Sequence, residues 1–254
     1  MKGTFFKSLL PFAAIATVFC APLAGADGIT SDQARQILTE LRAIRKALEQ
    51  RPASVPLSDQ PKATASDKIN MNFRPSVLTI GKENAPLVLI EYADYQCPFC
   101  QQFHRTAYQQ IKAIYIDTGK LRFVNRDVPL GIHDNARRGA TAGRCAAEQG
   151  KYWQLRDAMI VNANQLQADR ITGYAVDLSM NLNTFKDCVD ADKYRADIDL
   201  DITEAEAAGI TGTPSFILGR VRNGKLTGVR IIGAIPYTQF DAKIQEMLSD
   251  DRPK

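Results

Sequence analysis

Histidine is nearly missing from this chain, with two in 254 residues. That scarcity argues against a zinc centre, because a pair of cysteines would need two more ligands. His104 lies only four residues after Cys100, and His133 is the sole other histidine. An excess of charge of one sign is lacking too: 32 basic residues face 28 acidic ones, a formal net charge of +4. Without a basic stripe, no nucleic-acid partner is expected. No apolar run reaches the roughly 18 residues of a membrane helix, so no membrane span is expected. The run Leu9 to Cys20, preceded by Lys2 and Lys7 and followed by Ala24-Gly25-Ala26, reads as a signal peptide over residues 1–26 with a mature start at Asp27. Phe19 before Cys20 is too large for a lipoprotein site. The expected address is the periplasm.

Cysteine is sparse, and export changes what it means, since thiols can persist as disulfides outside the cytosol. Cys97, Cys100, Cys145 and Cys188 survive cleavage. Cys97 and Cys100 are too close in sequence to staple a fold. Cys145 and Cys188 fall in two different expected helices and could form a structural disulfide; the alternative is two small buried residues.

Residues 27–50 form an expected oligomerisation helix. Ala34, Ile37, Leu41, Ile44 and Leu48 are spaced as a heptad seam, Thr30 or Ser31 can cap its start, and Pro52 ends it. The plainer alternative is a terminal helix packed on its own domain. Residues 51–67, with Pro52, Pro56 and Pro61, read as a semi-rigid linker. From 68 to 254 the pattern is mixed α/β. An edge strand is expected near Val77 to Ile80, a buried strand over Pro86 to Tyr92, a helix over Cys97 to Asp117 and a strand over Leu121 to Asp127. Five helices fill a strand-free insertion over about 133–208. Strands at Ser215 to Leu218 and Val229 to Ile232, joined through Asn223-Gly224, and a helix over Pro236 to Leu248 complete one sheet domain with a helical cap.

The chemistry sits at Cys97-Pro98-Phe99-Cys100, where the buried strand gives way to a helix. Free N–H groups and the dipole at a helix start stabilise a thiolate on the first cysteine. Pro98 suits the first helical position, which needs no donor. Cys97 is therefore the expected nucleophile and Cys100, less exposed, the resolving thiol. A Cys97 titrating two units below pH 7 would favour the reduced form by about 2.7 kcal/mol, making the pair roughly 60 mV more oxidising. Phe99 between them is expected to be exposed, where its ring can meet unfolded substrate. Glu91, six residues before Cys97, can sit beneath the pair and relay the proton of Cys100; the alternative is an exposed strand-end charge. Thr213-Pro214, just before a strand, is compatible with a cis bond. His104 and Trp153 read as structural.

Tyr95-Gln96-Cys97-Pro98-Phe99-Cys100 after a strand, a helical insertion, and Thr213-Pro214 before a later strand together resemble the DsbA family over about Asn70 to Leu248. The resemblance implies a thioredoxin fold with an inserted all-helical subdomain, here preceded by an N-terminal helical stalk. It makes Glu91 the buried acid and Pro214 a cis-proline, with the Thr213 backbone pairing with the substrate strand. No cofactor or metal is implied beyond the redox-active disulfide. The stalk is not part of the minimal monomeric pattern and is more similar to oligomeric, isomerase-type relatives. The expected function is a disulfide oxidase, or an oligomeric isomerase or reductase. A holdase-type chaperone is the alternative from another class. Its partners would be unfolded or misfolded exported proteins, a redox partner that recharges the site, and copies of itself in a dimer or trimer.

Overall fold

A computed structural model describes residues 30–49 and 68–250. The expected signal peptide and the linker 51–67 lie outside the described residues. Two units result, and the described residues of the first form the helix α1 (Ser31–Glu49). Thr30 and Gln33 cap it reciprocally: the Gln33 N–H donates to Thr30 Oγ1 at 3.3 Å and the Thr30 N–H to Gln33 Oε1 at 2.9 Å. Ile37 and Leu41 of its seam are exposed. The side chains of Ile44 and Leu48 lie outside the description.

The second unit is built on β3 (Leu87–Ala93), every residue of which is buried. An unbroken apolar run suits a strand covered on both faces, and its alternation sorts the core. Leu87 and Leu89 pack with Phe103, Ile111, Phe216 and Phe240 on one face. Val88, Ile90 and Tyr92 pack with Ile217, Leu226 and Ala205 on the other.

Around β3 the sheet is ordered β1-β6-β5-β3-β4-β2. β4 (Leu121–Asp127) runs parallel to β3, while β5 (Ser215–Arg222) runs antiparallel to it. β6 (Lys225–Ile232) returns along β5 through Asn223 and Gly224, both at positive φ, as a tight hairpin turn of matching twist requires. The edges are β2 (Thr79–Ile80) on β4 and β1 (Lys68–Asn72) on β6. β1 was not expected. Its Lys-Ile-Asn-Met-Asn alternates, with Ile69 and Met71 turned to the core and the polar residues exposed, but five residues with only two apolar ones give a weak signal, which pairing with β6 completes.

The expected helix over Cys97 to Asp117 is broken in three. α2 (Pro98–Arg105) stops at Thr106, whose φ of −121° and ψ of −84° leave helical space. Its hydroxyl donates to the Gln102 carbonyl at 2.7 Å. The chain resumes as α3 (Ala107–Ile111) and widens into a π turn over Lys112–Ile116. Such interruptions re-aim a helix. Here Phe103, Tyr108, Ile111 and Tyr115 all end up buried against the sheet. α9 (Tyr237–Ser249) covers the same face through Phe240 and Ile244.

The insertion is all helical, as expected: α4 (Ala136–Ala147), α5 (Tyr152–Val161), α6 (Ala168–Asp177), α7 (Leu182–Asp190) and α8 (Arg195–Ala207). It has its own core, with Leu155, Met159, Leu166, Ile171, Phe185 and Ile198. Cys145 of α4 and Cys188 of α7 are joined as a disulfide, with Cα atoms 5.9 Å apart. Salt bridges anchor the insertion to the sheet. Arg144 of α4 donates to Asp127 at the end of β4 (2.7 Å) and pairs with Asp201 of α8. Arg126 of β4 donates to Glu204 of α8 at 3.0 Å, and Glu204 also accepts from Tyr92 of β3 at 2.8 Å.

Replacing Cys145 and Cys188 by alanine opens a loop spanning 43 residues. By chain entropy this should lower stability by about 4 kcal/mol. Urea unfolding of the double variant tests this, and an unchanged midpoint would show that helix packing alone holds the insertion.

Candidate active site

Strand register brings the site together. Tyr92 pairs with Ser215, Ser215 with Ile232, and Ala93 with Asp127. The ends of β3, β4 and β6 and the start of β5 therefore share one edge of the sheet. α2 begins at this edge. The turn leading into it is held by Asp94, which sequence reasoning did not single out, and by Gln96. Asp94 Oδ1 accepts from the Gln96 N–H at 2.7 Å, and its Oδ2 accepts from the Leu130 N–H at 2.7 Å and from His133 Nδ1 at 2.8 Å. Gln96 Oε1 accepts from the Asn135 N–H at 2.6 Å. The turn leading to Cys97 is thus tied to the loop that leaves β4. A polar Asp-x-Gln set immediately before the cysteine pair was the available signal.

Cys97 is the N-cap of α2, extended at φ −67° and ψ 121°, with Pro98 in the first turn. Its carbonyl accepts the Gln101 N–H at 3.1 Å. Both cysteines are free thiols and both are buried, at 3 % and 2 % exposure. Neither offers much surface, so the roles are separated chiefly by charge and by the deeper setting of Cys100. A hydrogen bond from the Cys100 thiol, reinforced by the backbone N–H groups of Cys100 and Phe99, outweighs burial and lowers Cys97 to about 5. Burial, the hydrogen bond given to Cys97 and the negative charge of Glu91 push the Cys100 thiol well above its ordinary value. Phe99 is 59 % exposed, and Ile132 and Ile232 are exposed at the same edge of the sheet.

The Thr213–Pro214 bond is cis. The Thr213 carbonyl lies 3.3 Å from Cys97 Sγ and accepts its hydrogen in the thiol state. These two residues, far from Cys97 in sequence, therefore border its thiol. Cys145 and Cys188 belong to the core of the insertion, apart from the pair.

Glu91 is fully buried. It shares its face of β3 with Ala93, which packs on Cys97 and Cys100. His104 Nε2 lies 2.8 and 2.9 Å from its two oxygens, and Arg156 Nη2 donates to Oε2 at 2.7 Å. Burial raises a carboxyl, but the His104 and Arg156 contacts outweigh it and hold Glu91 below its ordinary value. Arg156 was not anticipated. An arginine flanked by Tyr152, Leu155 and Met159, all on the inner face of α5, was its signature. Among the described residues no group of three or more metal-ligating side chains converges.

A family model described as thioredoxin matches residues 74–235. A Na(+)/H(+) antiporter, NhaA 3, of Salinispora tropica is 31 % identical over 63 % of this chain and 24 % of its own length. The chain thus spans about a quarter of the length of the antiporters it matches. A Rickettsia conorii protein whose name describes a protein-disulfide oxidoreductase is 24 % identical over 67 % of this chain and 64 % of its own length. Among solved structures, alpha-DsbA1 of Wolbachia pipientis superposes with a TM-score of 0.61 at 24 % identity, covering 68 % of this chain and 91 % of that one. DsbA of Chlamydia trachomatis gives 0.60 at 14 % identity, covering 76 % and 100 %. The structural likenesses establish the fold.

Alkylation of the reduced chain by iodoacetamide should titrate Cys97 with a midpoint near pH 5, leaving Cys100 far slower at neutral pH. Since the folded value is the depressed one, the stabilisation of the reduced fold is full above the free-thiol value and disappears as pH falls toward 5. Equal rates at the two thiols would defeat the assignment.

Proposed function

The chain belongs to the thioredoxin family and has a DsbA-like fold, and from that premise we propose that it exchanges disulfides with exported proteins through Cys97 and Cys100. The observation that carries this reading is the position of Cys97, capping α2 opposite the Thr213 carbonyl, with its thiol lowered to about 5. In the oxidising direction a substrate thiolate attacks Cys97 Sγ and Cys100 departs, taking a proton. A second substrate thiolate then attacks the substrate sulfur of the mixed disulfide, and Cys97 leaves as a thiolate. Two electrons pass from the substrate dithiol to the pair. A thiolate this stable is a good leaving group, which favours disulfide donation. A redox partner must then remove those electrons.

Phe99, Ile132 and Ile232 offer exposed apolar contact at the same edge. That suits unfolded or misfolded chains, which expose side chains that folded ones bury. The periplasm is the compartment that fits an exported oxidant. The pattern of residues 1–26 supports it, and no described helix is long and apolar enough to cross a membrane.

A second reading, an oligomeric isomerase, is favoured by α1. The exposed Ile37 and Leu41 would be covered by a copy of the same helix, each large side chain contributing roughly 1.5 to 3 kcal/mol before association entropy is charged. In that state Cys97 attacks a wrong disulfide and Cys100 waits to release the substrate.

Refolding of reduced and of scrambled ribonuclease separates these readings. Wild-type protein should reactivate the reduced enzyme and Cys97→Ala should not. Suppression of aggregation that survives Cys97→Ala would instead indicate a chaperone. The mature chain should sediment as a dimer or trimer, and deletion of residues 27–60 should give a redox-active monomer that loses activity on the scrambled enzyme. A monomeric mature chain at micromolar concentration would refute the stalk.

A further inference from the structure

Three ionisable side chains from three elements meet in the core below the redox pair. Glu91 comes from β3, His104 from α2 one turn after Cys100, and Arg156 from α5 of the insertion; all are buried. Their contacts fit a neutral His104 facing an ionised Glu91. His104 Nε2 faces both Glu91 oxygens at 2.8 and 2.9 Å, so a lone pair there would oppose a carboxylate; Nε2 therefore carries the hydrogen and donates it. Nδ1 is left to accept from Arg156 Nη1 at 3.3 Å. Arg156 Nη2 lies 2.6 Å from Nε2, which has no lone pair to offer, and its hydrogen goes to Glu91 Oε2 at 2.7 Å. Arg156 is further enclosed by the rings of Tyr108, Phe123 and Trp153, at 5.3 to 5.8 Å.

The strands beside Glu91 add no charge: its neighbours are Asn125 on β4 and Phe216 on β5. The other titratable groups nearby are Cys100, Tyr108, Tyr95 and Tyr152, with Asp127 at the end of β4 also within electrostatic reach of Arg156 and Asp157 exposed beyond it at 3.8 Å. Arg156 is thus the counter-charge of Glu91, and a buried carboxylate keeps its charge only with such a partner.

We propose that Arg156 is a positioning residue of the redox pair: it fixes Glu91 as a carboxylate beneath Cys100, which holds Cys100 as a thiol and leaves attack to Cys97. This rests on the disulfide-exchange reading and gives Glu91 a role other than proton relay. A relay acid must exchange a proton with Cys100, whereas a carboxylate clamped by two donors repels a second anion beside it. The consequence concerns the mixed disulfide. Reductive escape requires Cys100 to lose its proton and attack Cys97 Sγ, releasing the substrate thiolate, which takes up that proton. Holding Cys100 as a thiol slows escape, so the mixed disulfide persists until a substrate thiol attacks. The insertion, through one arginine, thereby biases the site toward making and exchanging disulfides over reducing them.

Two measurements test this without any substrate, so a chain that failed the ribonuclease assay would still report here. In the unmutated chain the 13C-labelled Glu91 carboxyl, assigned through its contact with the His104 ring, should not titrate between pH 5 and 9. In Arg156→Met it should acquire a titration in that range, and Arg156→Lys should abolish it again. Titration in the unmutated chain, or none in Arg156→Met, overturns the proposal. In a Cys97→Ser background, Glu91→Gln combined with Arg156→Met removes both charges together, so no bare ion is buried. Alkylation of Cys100 by iodoacetamide at pH 8 should then rise at least tenfold. An unchanged or slower rate overturns the charge lock and returns Glu91 to the relay. Should the combined variant fail to fold, the carboxyl titration of the unmutated chain decides alone.

Discussion

A carboxylate inside a sheet cannot stand alone, and much of this molecule is arranged around that constraint. Glu91 lies in a strand with no exposed residue. Its charge is tolerable only because Arg156 enters from another subdomain and His104 from α2. The same logic recurs where α4 and α8 meet the end of β4. There Asp127, Asp201 and Glu204 meet Arg74, Arg126 and Arg144. Removing one member of either group would leave an uncompensated ion. These pairs therefore specify how the insertion seats on the sheet, more than they add to stability.

That seating matters for the chemistry, because two cysteines that both expose little surface must behave oppositely. Cys97 has donors pointed at it, from its helix start and from Cys100 itself. Cys100 has an anion behind it. The asymmetry is electrostatic and depends on backbone N–H groups that any helix start offers, together with a carboxylate whose charge the insertion secures. The turn carrying Cys97 is likewise not free-standing, since Asp94 and Gln96 tie it to the loop after β4.

Much of the fold was legible because it rests on local signals. The unbroken apolar run of β3, the Asn223-Gly224 hairpin and the five helices of the insertion follow from periodicity and turn chemistry. Features that failed to show were those that local pattern does not encode. β1 is short, with an alternation carried by only Ile69 and Met71, and the edge of β6 completes it. The break at Thr106 lies in a stretch that reads as continuous helix, and only packing against the sheet requires it.

The sequence by itself determined the arrangement of the pair: two thiols separated by two residues, at a junction from buried strand to helix, with a proline between them at a helical position that needs no donor. Proximity there is covalent, so neither the pair nor its helix start depends on long-range packing. Only tertiary structure decided what surrounds the pair. Thr213 reaches Cys97 across 116 positions and Arg156 reaches Glu91 across 65. Contacts over such separations depend on strand register and on how the insertion docks, and neither is written in any local pattern.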